Sequence, residues 1–262
     1  MSEWLVLAVA MVAACAVVLA GTLLSQRRRV ETEEAETEGG AKREIETPDV
    51  LEYMTMMVGV VYAIVLGLAI AGVWEARSTA QDEVRREAQA LHEITRRAEV
   101  FPLDVQENLR AGINDYVSYV VKKEWPRMTD GDKLSGRGAE MLGAVRADIA
   151  ERVPGNQLEA QAYQPMIDQI AVADDARNAR AQNAGATLPG VVWFGLIIGA
   201  LVTVGLIFTM HIGRSYRELL IAGLFAALIA FLLFLVWDFD APFGRAGTAS
   251  ADAFRQLFPG AT

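Results

Sequence analysis

Apolar positions along this chain come in two textures. In four stretches they run almost without interruption: Trp4–Leu24, Thr55–Trp74, Val191–Met210 and Leu219–Trp237 each lack Asp, Glu, Lys, Arg and His. A hydrocarbon core about 30 Å thick takes about 20 apolar residues in helical form, and each stretch has that length. Between the second and third runs the texture changes to a helical period. Val84, Ala88, Leu91, Ile94, Ala98 and Phe101 recur among Arg, Glu and Gln, which predicts one amphipathic helix closed by Pro102. Val105, Leu109, Ile113, Tyr116, Val117 and Val120 predict a second, stopped at Trp125–Pro126. Met141, Leu142, Val145, Ile149 and Val153 predict a third, ending at Pro154–Gly155, and Leu158, Ala162, Met166, Ile170 and Ala173 a fourth, kinked at Pro165. No strand period and no internal repeat is present.

The pattern therefore predicts an all-α polytopic membrane protein, with four transmembrane helices and a helical extramembrane bundle inserted between the second and third. The expected boundaries are residues 1–24 for the first span, 25–53 for an acidic flexible linker, and 54–74 for the second span. The bundle occupies 75–188, the remaining spans 189–210 and 218–237, and a turn with a short amphipathic tail 238–262. No proline falls between Met54 and Phe101, so the second span is expected to continue into the bundle as one helix about 70 Å long. Trp74 would mark the membrane surface along it.

Charge adds an orientation. Lys and Arg in short loops mark the cytoplasmic side. Arg27, Arg28, Arg29, Lys42 and Arg43 occupy the first connection and Arg214 and Arg217 the third, so both loops face the cytoplasm and the bundle and termini lie outside it. The first run is preceded by Glu3 and followed by the arginines, the reverse of a signal peptide, and it continues past Cys15, so it is read as a retained span. Cys15 is the single cysteine, which rules out an internal disulfide. The net charge of −9 alongside 53% hydrophobic residues averages these two populations.

Catalytic signatures are missing. The two histidines, His92 and His211, lie far apart, and no metal-binding, nucleophile-elbow or phosphate-cradling motif occurs. His92 reads as a half-buried helix residue and His211 as a membrane-surface one. No enzymatic activity, metal, cofactor or nucleic-acid partner is expected. A coupled carrier is disfavoured as well, because the apolar runs hold no ionisable residue.

The second run carries a candidate packing or pore face. Gly59, Ala63, Gly67 and Ala71 recur every four residues, and small residues at that spacing let helices approach closely. Gly195, Gly199 and Thr203 repeat the device in the third run. Tyr62, Leu66, Ile70 and Val73 flank the small residues and could form an apolar constriction gating a pore by dewetting. Glu75 and Arg77, just past Trp74, are the candidate pore-mouth charges, with Asp82 and Glu83 beyond them. After the last run, Trp237 and Phe239 suit the headgroup level, and Ser250–Phe258 reads as a short amphipathic helix lying on the membrane surface.

Glu124–Trp125–Pro126 and Asp238–Gly244 carry a resemblance. With Trp74, Glu87, Tyr116, Asp240, Pro242 and Phe243 they are similar to the pattern of the bacterial bestrophin-like domain family, over about residues 50–258. The chain departs from that pattern at Ala241, where the family carries a basic residue, and lacks one residue between Phe243 and Gly244. The resemblance implies a distant likeness to bestrophins, which are pentameric anion channels with four spans per subunit and a pore lined by the second span. Bestrophins hold their helical domain in the cytosol, opposite to the side the loop charges assign here. The expectation is a homo-oligomeric, lipid-embedded, channel-like protein of the bacterial inner membrane, conducting anions by resemblance. The competing expectation is a non-conducting scaffold or sensor whose helical domain binds a protein partner.

Overall fold

The computed structural model describes residues 49–129, 134–185, 187–209, 216–244 and 250–261. The first apolar run with Cys15, the arginines at 27–29 and most of the acidic linker lie outside the described residues. So do positions 130–133 of the predicted turn, and His211 and Arg214 in the third connection.

Helix α1 spans Asp49–Arg97 without a break, 49 residues in all. A 3-10 turn at Ala98–Val100 follows, then α2 (Leu103–Tyr119), a π turn at Val120–Glu124, α3 (Trp125–Thr129) and α4 (Gly136–Ala150). Helix α5 runs Gln157–Gln182, α6 Gly190–Thr209, α7 Tyr216–Phe239 and α8 Asp252–Leu257. Among the described residues every regular element is helical. Two helical stretches, Tyr53–Val100 and Leu220–Phe239, contain a segment long and apolar enough to cross a membrane, and Gly190–Leu206 is a shorter apolar helix.

The chain divides into two compact units. The first takes α1 through Gly72, with α6 and α7 from Leu188–Asp238. Here small residues set the packing. The Tyr62 hydroxyl donates to the Leu196 carbonyl at 3.2 Å. A Cβ at Gly199 would lie 2.6 Å from the Tyr62 ring, so only glycine admits that ring against α6. Thr203 donates to the Gly199 carbonyl at 2.7 Å, satisfying its hydroxyl within its own helix. On α7, Ala222, Ala226, Ile229 and Val236 form the buried stripe.

The second unit comprises Val73–Thr187 and Phe239–Thr262. Its core is the expected set of periodic positions: Val84, Ala88, Leu91, Ile94, Ala98, Phe101, Val105, Leu109, Ile113, Tyr116, Val117 and Val120 are all buried. Leu142, Val145, Ile149, Ala162, Met166, Ile170 and Ala173 close it from α4 and α5.

Four expectations are corrected by this unit. The second helix does not stop at Trp125–Pro126; it widens into the π turn, where the Trp125 N–H reaches the Val120 carbonyl, and continues as α3 to Thr129. The wider turn relieves the clash a proline makes with the carbonyl four residues back. The third helix ends at Ala150, before Val153, which is exposed. Leu158, in the first turn of α5, is exposed as well, and that helix runs through Pro165 to Gln182. The tail buries its apolar side instead of presenting it to a membrane surface. Phe254 and Phe258 enter the core, and the Phe258 ring stands edge-on to His92 with centroids 6.0 Å apart.

Candidate functional site

Two groups of residues are candidates for function, and α1 contributes to both. Its buried positions include Tyr62, Leu66, Ala69, Val73, Ala80, Val84, Glu87, Leu91 and Ile94, a stripe spaced by threes, fours and one seven, with Ala88 and Ala90 buried beside it. The opposite side reads Val60, Ile64, Gly67, Ala71, Glu75, Ser78, Asp82, Arg85, Gln89, Glu93 and Arg96, all exposed or half-exposed. It is apolar up to Ala71 and polar from Glu75. The candidate face from the sequence is thus divided. Tyr62, Leu66 and Val73 are buried, Gly59 and Ile70 intermediate, Ala63 and Gly67 exposed. A Cβ at Gly59 or Gly67 would meet nothing within 4 Å, in contrast to Gly199.

The two candidate mouth charges separate in the same way. Arg77 lies over the Phe239 ring, its guanidinium carbon 4.9 Å from the centroid. Trp74 meets the same ring edge-on at 5.4 Å. Glu75, two residues from Arg77 and therefore about 160° round the helix from it, is exposed. Asp82 pairs with Arg85 at 3.0 Å, Glu83 with Arg86 at 3.8 Å and Glu93 with Arg97 at 2.8 Å.

The second group is a closed charge network inside the helical domain. Arg180 on α5 sends Nε to Glu87 Oε2 at 2.8 Å and Nη2 to Glu87 Oε1 at 3.1 Å, a two-pronged pairing. The same Nη2 approaches Glu124 Oε2 at 3.5 Å, and Nη1 reaches the Met128 sulfur at 3.0 Å. The Tyr116 hydroxyl donates to Glu87 Oε1 at 2.5 Å. Glu124 Oε1 accepts from Arg177 Nη2 at 2.5 Å and from the Ser135 hydroxyl at 3.2 Å. Arg177 also donates to the Ser135 carbonyl at 3.0 Å. Ser135 caps α4, its hydroxyl accepting from the Gly138 N–H and sharing a hydrogen bond with Tyr119. A side chain at position 138 would run into Glu124 and Arg177, so a glycine is required where α4 crosses the network.

Glu87, Glu124 and Arg180 are wholly buried, and Arg177 nearly so. Two carboxylates balance two guanidinium groups, so the cluster is neutral, which is how charge survives in a core. Burial pushes the Tyr116 phenol well above its ordinary value, and the Glu87 charge adds to the push while Arg180 opposes it. Burial acts to lower the Arg180 pKa, but Glu87 and Tyr116 outweigh it and hold it above the ordinary arginine value.

The remaining motif residues close round this network. Arg180 lies over the Trp125 ring at 5.9 Å, and Trp125 stands edge-on to Phe243 at 5.7 Å. Phe243 and Pro242 are buried in the turn after α7, where the Gly244 N–H donates to Ala241. The Asp240 carbonyl accepts from Thr187 N–H at 2.9 Å, and the Asp240 side chain is buried. Pro126 stands at the second position of α3, directly after the π turn that delivers Glu124 inward. Arg177, Arg180, Ser135, Tyr119 and Gly138 escaped the sequence reading. The signal was present: Met166, Ile170 and Ala173 define a buried stripe on α5, and its next positions are Arg177 and Arg180. A charged residue at a core position demands a buried counter-charge.

Among the described residues every regular element is helical, with apolar helices in one unit and a buried ion network in the other, and the class is that of an α-helical membrane protein. A family model described as the Bestrophin-like domain matches residues 12–254, and the chain belongs to that family. A search of curated proteins found no match. Among solved structures, a crystallised membrane protein variant is similar over 96% of this chain and 97% of its own, with a TM-score of 0.72 at 11% identity. Two single-substitution variants of a bacterial bestrophin homolog from Klebsiella pneumoniae are also similar. One has a TM-score of 0.68 at 12% identity, covering 93% of this chain and 96% of that one. The other has a TM-score of 0.65 at 13% identity, covering 92% and 97%. At these identities the likeness is one of fold.

Proposed function

We propose that this protein is a homo-oligomeric, passive ion channel of the bacterial inner membrane, with four spans per subunit and α1 lining the conduction path. The observation that carries the reading is the two-sidedness of α1. One stripe is packed from Tyr62 to Ile94, and the opposite stripe is free from Val60 to Arg96. The free stripe is apolar, then polar, without a break in the helix. Copies of such a helix arranged about an axis would present an apolar narrow section at Val60, Ile64, Gly67 and Ala71 and a wet vestibule beyond Glu75. This moves the constriction from Tyr62, Leu66 and Val73 to the opposite face of the helix, because those three side chains are buried within the subunit. Membership of the Bestrophin-like family supports channel activity by analogy of plan. The loop arginines support an extracytoplasmic domain.

The test is direct. Purified full-length protein in lipid vesicles is expected to run as a closed oligomer by native mass spectrometry and to pass ions in a flux assay. A monomer that passes no ions under varied voltage, pH and calcium would replace the channel with the scaffold reading.

A further inference from the structure

Resting on the channel reading, we infer that Glu75 sets the ion preference of the pore mouth and that the mouth favours monovalent cations, in place of the anion preference implied by the resemblance to bestrophins. Glu75 and Arg77 look equivalent in sequence, a carboxylate and a guanidinium two residues apart at the end of the apolar run. The structure makes them unequal. Arg77 is half-buried, turned to the packed side, with its charge against the Phe239 ring that Trp74 also touches. A guanidinium held over an aromatic face is drawn from the water and from the free stripe. Glu75 falls on that stripe, in register with Ala71 before it and Ser78 and Asp82 after it, and is exposed.

Compensation separates Glu75 further. Along α1 beyond Val73, Asp82, Glu83, Glu87 and Glu93 each have an arginine within 4.0 Å. Glu75 is the one acidic side chain there with no ion pair among the described residues. The cation on the free stripe without an ion pair among the described residues is Arg96, about 30 Å further along the helix axis. That distance is about three Debye lengths at 0.1 M salt, so Arg96 cannot offset Glu75 at the mouth. The Asp82–Arg85 pair about two to three turns on is neutral as a unit. Repeated by the symmetry of a closed oligomer, Glu75 gives a ring of negative charge where the apolar segment opens, and such a ring concentrates small cations and excludes anions.

The experiment is the reversal potential of the reconstituted full-length channel in asymmetric potassium chloride. The wild type is expected to select potassium over chloride by about tenfold, the lower end of what a focused field supplies. Glu75→Gln should bring the ratio close to unity, and Glu75→Lys should invert it. Arg110→Gln removes an exposed charge from α2 and should leave the ratio unchanged. Both position-75 replacements are at an exposed site without hydrogen-bonded partners among the described residues, so folding survives. Chloride selectivity in the wild type, or unchanged selectivity in Glu75→Gln, overturns the inference and leaves the channel standing. No current from the wild type, in bilayers where a control pore conducts, removes the channel and this inference with it.

Discussion

The two units hold themselves together by opposite means. In the apolar unit close packing is prominent: a tyrosine ring set on Gly199, its hydroxyl on a backbone carbonyl, and a buried stripe with two alanines on α7. Large aliphatic side chains such as Val60, Ile64, Leu68, Leu201 and Leu224 remain exposed on its surface. In the helical domain aliphatic side chains turn inward, and the four charges of the Glu87, Glu124, Arg177 and Arg180 network are buried with them. The difference is the one that the proposed placement, the first unit in lipid and the second in water, requires. Lipid offers no hydrophobic drive between helices, so close backbone approach through small residues must supply the attraction. Water drives the domain's core together and leaves room for an internal charge network that fixes how its helices register.

That contrast can be broken most strongly in the domain. Arg180→Ala strands Glu87 in the core and removes the more distant of the two arginines facing Glu124, which keeps Arg177. It should cost about 3–5 kcal/mol, the range for breaking one side of a buried pair. The loss would be seen as a large fall in the thermal midpoint of the domain signal, and a change within error would show the network to be idle. The double replacement Glu87→Leu with Arg180→Met should recover part of the loss, because it removes both charges together.

A smaller effect is expected in the apolar unit. Gly199→Ala puts a methyl group into the Tyr62 ring and should cost about 1–3 kcal/mol as overpacking. Combining it with Tyr62→Ala should relieve the clash, so the pair will be non-additive when measured by denaturation in detergent. If the two changes add, the ring and the glycine do not meet.

The smallest effect is a pH dependence confined to the domain. Tyr116 keeps its proton in the fold to well above the ordinary tyrosine value of 10.0. Below pH 10.0 both states are protonated and the stabilisation is complete; above it the unfolded chain releases its proton first, and stability drains as pH rises toward the raised native value. Chemical denaturation of the wild type should therefore weaken on the alkaline side more steeply than that of Tyr116→Phe. Equal slopes would mean that burial and the Glu87 charge do not raise the phenol.

Much of this was legible in the residues themselves. The buried stripe Val84 to Phe101 and its counterparts on α2, α4 and α5 are periodic, and the structure buries them apart from Met141, partly buried, and the predicted Val153 and Leu158, which are exposed. Glu87, Tyr116 and Glu124 were identified by motif, but their arginine partners were not, since Arg177 and Arg180 belong to a different helix. The tail looked amphipathic, and it is. Sequence could not say whether its apolar side would meet lipid or protein, because both accept phenylalanine equally.

What the sequence determined by itself is local: where helices run, which side of each is apolar, and which runs are long enough to span a membrane. These follow from the 3.6-residue repeat and the length of charge-free runs, properties that neighbouring residues settle among themselves. The tertiary structure alone decided the pairings. Arg180 meets Glu87 across 93 residues of chain and Arg177 meets Glu124 across 53. It also turned Arg77 onto Phe239 while leaving Glu75 free, a distinction invisible in two charges that sit two positions apart. Which side of a helix is occupied depends on what packs against it, and no local repeat carries that information.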